Sequence, residues 1–193
     1  VATGMPMSII FNMERMISQA MVLGIGAVEA LRILGHDVEI YHLNESHAVF
    51  APLYLLRLEL NSGSDFTRAL ASVKEKVVFT NHTPVTDGNP KYSITAMLEH
   101  TGFQEAFWRE LLKTLGGDDW FDATAACLRL ARAANAVSEK HLETCKRLWP
   151  EALGGAPWSS VTNGVTTSYW QYPEFAETHT AASIAQAKTL YKR

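Results

Sequence analysis

Three short strings hold the residues of this chain that could do chemistry. Tyr41-His42-Leu43-Asn44-Glu45-Ser46-His47, Val78-Phe79-Thr80-Asn81-His82-Thr83-Pro84 and Ser160-Val161-Thr162-Asn163-Gly164-Val165 each begin as a strand-like run and end abruptly in polar groups. Polar side chains are costly to bury without partners, so their grouping asks for a polar ligand. Amides, imidazoles and hydroxyls suit a sugar better than a phosphate or a metal. His36, His42 and His47 are spaced across a strand and its turn, which does not bring three imidazoles together on a zinc ion, and no cysteine pair assists. No metal site is expected. A serine hydrolase is poorly supported, because the sequence has no Gly-x-Ser-x-Gly elbow.

Placing those strings together requires strands that end at a common edge. Apolar residues recur at helical spacing over about 13–34, where Gly35 stops the helix. Gly24 and Gly26 lie inside it. No strand precedes them and Glu29 occupies the third glycine position of a dinucleotide fingerprint, so close helix packing is the expected reason for both. Residues 37–43 alternate as a short strand, 44–46 offer caps for a helix through 60, and Ser64 or Asp65 caps a helix over about 65–74. Residues 77–80 read as a buried strand and 81–90 as a loop over the site. Helices are expected at about 93–100, 104–115 and 121–148. The last carries a stripe from Leu128 to Leu148 on which His141 reads as a hydrogen-bonded core residue rather than a ligand. A strand at 159–162 and a helix from about 181 to the end complete the pattern. Strands alternating with helices imply an α/β layer with a parallel sheet. In such sheets ligands bind beyond the carboxyl ends of the strands, where Asn44, Glu45, His47, Asn81, His82, Thr83, Asn163 and Gly164 would all emerge.

The bulk properties narrow the field. The 193 residues suffice for one ordinary domain or a piece of something larger, and 47% hydrophobic residues can supply a core. A net charge of −3, spread along the chain, gives no footprint for nucleic acid or anionic lipid. No apolar run is expected to reach the roughly 18 residues that span a bilayer, and the N-terminus does not read as a signal peptide. Cys127 and Cys145 stand 18 positions apart in what reads as one helix, about 27 Å at 1.5 Å per residue. Two free, buried thiols and a cytoplasmic location are therefore expected.

These strings, with one more, resemble segments of the α-glucan (glycogen/starch/maltodextrin) phosphorylases. His42-Leu43-Asn44-Glu45-Ser46-His47-Ala48 is similar to their Leu-Asn-(Asp/Glu)-x-His segment, preceded by a similar Leu23-Gly24-Ile25-Gly26 helix. Thr80-Asn81-His82-Thr83 resembles their Thr-(Asn/Thr)-His-Thr. Asn135-Ala136-Val137-Ser138-Glu139-Lys140-His141 is similar to Asn-Gly-Val-(Ala/Ser)-x-x-His, and Thr162-Asn163-Gly164-Val165 with Trp170 to Thr-Asn-Gly-(Ile/Val)-x-x-x-x-Trp. Four motifs in one order cover about 10–193. This chain departs from the family with Ala136 for Gly, Glu139 where a basic residue is common, and no Arg in Thr166-Thr167-Ser168-Tyr169.

The resemblance implies a partial Rossmann-like lobe of a GT-B type glycosyltransferase, a parallel sheet flanked by helices. Residues 1–155 would belong to the N-terminal lobe and 156–193 to a crossover toward a missing C-terminal lobe. The implied activity releases glucose 1-phosphate from the end of an α-1,4-glucan or maltodextrin by inorganic phosphate, with pyridoxal 5′-phosphate as cofactor. His82 would be the catalytic contact to the glucosyl unit, its carbonyl facing the anomeric carbon. Asn163 would bond the sugar 6-hydroxyl, Gly164 would allow close backbone approach, and Asn44, Glu45, His47, Asn81 and Thr83 would line the pocket. The family's cofactor lysine is absent from this chain, so no cofactor-binding residue is assigned and 1–193 would be an internal fragment, inactive alone. Partners would be glucan and phosphate, with neither nucleic acid nor membrane. The alternative is a non-catalytic oligosaccharide-binding module, or a truncated one that self-associates as a homo-oligomer.

Overall fold

The computed structural model describes residues 7–103, 106–150, 152, 156–164, 166, 169 and 182. The chain divides into two units, Val1–Thr162 and Asn163–Arg193. In the first, α1 (Met7–Met21) and α2 (Ala27–Ile33) are joined by a π-helical turn, Val22–Gly26. Strand β1 (Tyr41–Asn44) leads through a 3-10 turn, Ser46–Ala48, into α3 (Phe50–Asn61), then α4 (Phe66–Lys76) and β2 (Val77–Asn81). The chain continues through β3 (Lys91–Ser93), α5 (Ile94–Thr101), α6 (Ala106–Gly116), β4 (Trp120–Asp122) and α7 (Ala123–Leu130). Strand β5 (Ala133–Ala136), α8 (Glu139–Leu148) and β6 (Trp158–Ser160) complete it.

The fold is α/β, with a four-stranded sheet in the order β1-β2-β5-β6 and every pair parallel. Because each new strand is added on the same side of the last, right-handed crossovers carry all the intervening helices to one face. Burial alternates accordingly. Leu43, Val77, Phe79, Ala134 and Ala136 are buried under the helices, whereas His42, Asn44 and Ser159, which alternate with them, are exposed. On that open face the Thr80 hydroxyl donates to Asn135 Oδ1 at 2.6 Å and lies 2.7 Å from His42 Nε2, a polar row across three strands.

Local signals explain most boundaries. Asp65, Ser93, Asp122 and Ser138 each accept a backbone N–H of the following helix, the expected N-cap geometry. Gly35 ends α2 in the left-handed region, φ 74°. The single helix expected over 121–148 is corrected: it is α7, β5 and α8. Alanine-rich Ala131–Ala136 has high helix propensity, but as the strand between β2 and β6 its small side chains pack closely and its backbone groups are paired on both sides. The two-stranded antiparallel pair β3–β4 was not anticipated either. The spacing argument for the cysteines loses its premise with the helix, yet both thiols are free and buried, and burial pushes Cys145 up to about 11. The helix expected from about 181 lies outside the described residues, apart from Ala182.

The N-terminal helix also departs from expectation. Asn12–Ile33 is, by length and a mean hydropathy of 1.4, apolar enough to cross a membrane. Here its stripe of Ile17, Ala20, Gly24 and Val28 is buried, and Glu29 on its flank accepts from Tyr54 Oη and Arg32 Nη1, both at 2.7 Å. In this structure the helix is a wall of the domain. The reading of Gly24 and Gly26 as close-packing residues holds for the first only. A Cβ on Gly24 would stand 2.5 Å from Ala51 N and 2.8 Å from Phe50, whereas one on Gly26 meets nothing within 4 Å. Gly24→Ala should therefore destabilise by about 1–3 kcal/mol. Gly26→Ala should stabilise by roughly 0.5–1 kcal/mol. Urea denaturation of the two variants checks both signs.

Candidate functional site

β1 and β2 run in register with Asn44 beside Thr80, so their carboxyl ends lie side by side. The next residue of the first strand, Glu45, extends the ladder by donating its N–H to the Thr80 carbonyl at 2.9 Å. Its backbone sits at φ 66°, ψ 160°, a region essentially reserved for glycine, which costs on the order of 1–3 kcal/mol. Glu45 is the only non-glycine residue with positive φ among the described residues. What holds it there is its own side chain. Oε1 accepts the His82 N–H at 2.7 Å and the Thr83 hydroxyl at 3.1 Å, charge-assisted bonds that clamp the start of the loop after β2 to the end of β1.

The His82 ring is oriented by Asn44. Nε2 lies 2.9 Å from Asn44 Oδ1. An amide oxygen only accepts, so Nε2 carries a proton, and in this tautomer of the imidazole Nδ1 is the acceptor. No hydrogen bond among the described residues ends on His82 Nδ1 or on its carbonyl oxygen. Both are left for a ligand.

A buried polar floor lies under the loop. Asn81, Asn89, Thr124 and Ser46 are between 0% and 5% exposed. Thr124 donates to Asn89 Oδ1 at 2.8 Å and lies 3.0 Å from the Ser46 hydroxyl, whose proton it can accept. Asn81 Nδ2 donates to the same Asn89 oxygen at 3.2 Å, and Asn89 Nδ2 donates to the Val85 carbonyl at 2.7 Å and the Thr83 carbonyl at 3.3 Å. Asn81 thus stands below the loop, with its side chain committed inside the protein. Asn89 and Thr124 gave no signal in the sequence beyond ordinary turn and cap chemistry.

His141 is the hydrogen-bonded core residue that the sequence led us to expect. It is only 7% exposed, three residues past the Ser138 cap of α8, and its Nδ1 accepts the Val137 N–H at 3.3 Å. Burial lowers its pKa below the ordinary 6.5, opposed in part by the Glu45 carboxylate and the Thr83 backbone and reinforced by His82. The helix that follows the third strand thereby brings an imidazole to the loop held by the first two. The stripe placed it in the core but, running through what is β5, gave no sign that α8 turns this position toward the loop.

The remaining expected residues make no hydrogen bond to this cluster among the described residues. His47 is exposed and lines a cavity of about 350 Å³ with Met16, Asp87, Asn89, Pro90 and Lys91, against the far end of the same loop. Asn163 and Gly164 open the second unit and are exposed. A cavity of about 450 Å³ among Arg57, Asn61, Phe66 and Phe107 lies at the far end of α3, away from the strand carboxyl ends. Among the described residues no group of three or more His, Cys, Asp and Glu could hold a metal ion.

These features define an α/β lobe with a ligand edge built of amides, imidazoles and one carboxylate. No family model matches the chain. Maltodextrin phosphorylase of Thermococcus litoralis is 33% identical over 170 residues, covering 84% of this chain and 20% of its own length. Glycogen phosphorylase of Mycobacterium tuberculosis is 31% identical over 189 residues, 86% of this chain and 22% of its own length. An uncharacterised protein of Methanocaldococcus jannaschii is 35% identical over 161 residues, 83% of this chain and 29% of its own length. The chain is a homologue of the glycogen and maltodextrin phosphorylases, and it spans about a fifth to three tenths of the length of the curated relatives it matches.

Two tests follow from the buried groups. The folded protein resists protonation of His141 while the unfolded chain takes up that proton near 6.5. Its contribution is therefore present above that value and is lost as pH falls through and below it. Denaturation midpoints measured between pH 5 and 8 should show this fall, and His141→Phe should flatten it. Thr124→Val, which deprives Asn89 and Ser46 of their shared partner, should cost about 1–3 kcal/mol in the same assay.

Proposed function

We propose that this chain supplies the sugar-contacting side of an α-glucan phosphorylase site, the enzyme releasing glucose 1-phosphate from the end of an α-1,4-glucan with inorganic phosphate. The observation that carries the proposal is the state of His82. Its N–H is fixed on Glu45 and its ring on Asn44, while Nδ1 and the carbonyl are both open. An acceptor nitrogen and a carbonyl dipole, held rigidly side by side, match a sugar hydroxyl and a positively charged anomeric carbon. By the resemblance, Asn163 and Gly164 of the second unit would carry sugar contacts of their own.

The described donor set does not fit pyridoxal 5′-phosphate. A Schiff base needs an amine, and a phosphate needs cationic or clustered N–H donors. None of the hydrogen bonds at the strand ends involves Lys or Arg. In this reading the cofactor and the phosphate belong to the part of the relatives that the chain does not span, and the 193 residues alone bind sugar without turning it over.

Calorimetric titration of maltopentaose into the purified chain, with and without phosphate and pyridoxal phosphate, tests this. Binding is expected, weakened at least about tenfold, or ~1.4 kcal/mol, by His82→Ala or Asn163→Ala. Absence of binding by the unsubstituted chain would remove the sugar site from it. Release of glucose 1-phosphate by the purified chain would overturn its assignment as a half-site.

A further inference from the structure

One group at the strand ends is unexplained by the sugar-site reading, on which the following rests. His141 Nε2 is fully enclosed and has no hydrogen-bond partner, a condition it shares only with Trp158 Nε1 among the described buried side chains. Native proteins rarely leave such a donor unpaired, and each instance calls for a reason. The ring cannot turn to satisfy it. Nδ1 is held by the Val137 N–H, so the neutral imidazole carries its proton on Nε2. A histidine serving only the core would have its second nitrogen matched or left against apolar atoms. This one stands among polar groups instead: the Glu45 carboxylate and the His82 ring act on it electrostatically, and the Thr83 backbone acts on it as a hydrogen-bond acceptor.

The Thr83 carbonyl is the acceptor that faces this ring, although no bond of full geometry reaches Nε2. Its one full side-chain hydrogen bond among the described residues is the long 3.3 Å contact from Asn89 Nδ2. Thr83 is also the residue whose hydroxyl shares Glu45 Oε1 with the His82 N–H. A second donor on that carbonyl would fix the 82–83 segment from both sides, with Glu45 on one and α8 on the other.

We propose that His141 is a positioning residue of the site, its Nε2–H directed at the Thr83 carbonyl and so holding His82 in its ligand-facing position. Two substitutions separate this from a packing role. In His141→Asn the amide oxygen can replace Nδ1 and keep the Val137 contact, but no donor reaches the Nε2 position. In His141→Gln the amide nitrogen reaches the Nε2 position while the Nδ1 acceptor is lost. A structural role predicts that Asn is the milder change, and a positioning role predicts Gln.

The experiment uses the isotopically labelled 193-residue chain, reading amide exchange at His82 and Thr83 together with maltopentaose affinity. His141→Asn is expected to speed exchange at His82 at least about tenfold with Phe79 and Ala134 still protected, and to weaken maltopentaose at least about tenfold. His141→Gln should stay close to the unsubstituted chain on both counts. The opposite order overturns the proposal, as does loss of protection at Phe79 and Ala134 in both variants, which would make His141 a core residue. If the unsubstituted chain binds no maltopentaose, the sugar-site reading fails, and the exchange order of the two variants decides the role of His141 by itself.

Discussion

The bond from the His82 N–H to the Glu45 carboxylate joins the first two strands at the point where their ladder has run out. Inside a parallel sheet, backbone groups pair with their neighbours; at its end they need other partners, or water. Here one carboxylate oxygen takes both a backbone N–H and a hydroxyl from the adjoining strand's loop. That arrangement requires Glu45 to fold back over its own strand, and the unfavourable φ of 66° is the local consequence. The strain and the clamp are thus parts of one device. Without the carboxylate the backbone would have no reason to stay in a glycine-like conformation, and without that conformation the carboxylate would not reach His82.

Below the clamp, a chain of amides and hydroxyls from Ser46, Asn81, Asn89 and Thr124 supports the loop from within. Its members come from the end of β1, the end of β2, the far end of the loop and the start of α7. Such a network is stable only when complete, because each buried group left without a partner is penalised. The loop is therefore held above by one charge and below by neutral dipoles. Its upper surface stays polar, with two acceptors that no hydrogen bond among the described residues uses.

The parts of the fold legible in the sequence were those with sharp local chemistry. Asp65, Ser93 and Gly35 mark helix boundaries through caps that act within one turn of chain. Val77 to Thr80, β-branched and aromatic, reads as a strand because no other element suits it. β5 was hidden because alanine gives a helical signal until the packing between two other strands, a tertiary effect, overrides it. The site divides along the same line. Asn44, Glu45 and His82 announce themselves by polarity at a strand end, and they do come together. Asn81, from the same cluster, turns inward because alternation along β2 puts it on the buried side. His141 could not be separated from the core pattern, since the reason for its presence lies across the loop rather than along the helix.

The strand order has a consequence of another kind. β1, β2, β5 and β6 lie side by side in the order in which they occur along the chain. Each strand can be laid on an edge that already exists, with its crossover helix closing behind it, and none must be inserted between two others. A sheet of this sort can be assembled as the polypeptide leaves the ribosome, since a nascent chain needs nothing downstream to complete any pairing already made. The growing edge then remains an open template until the next strand arrives. Among the described residues the last strand laid down is β6, a three-residue strand whose brevity limits how much unpaired backbone it offers to other chains.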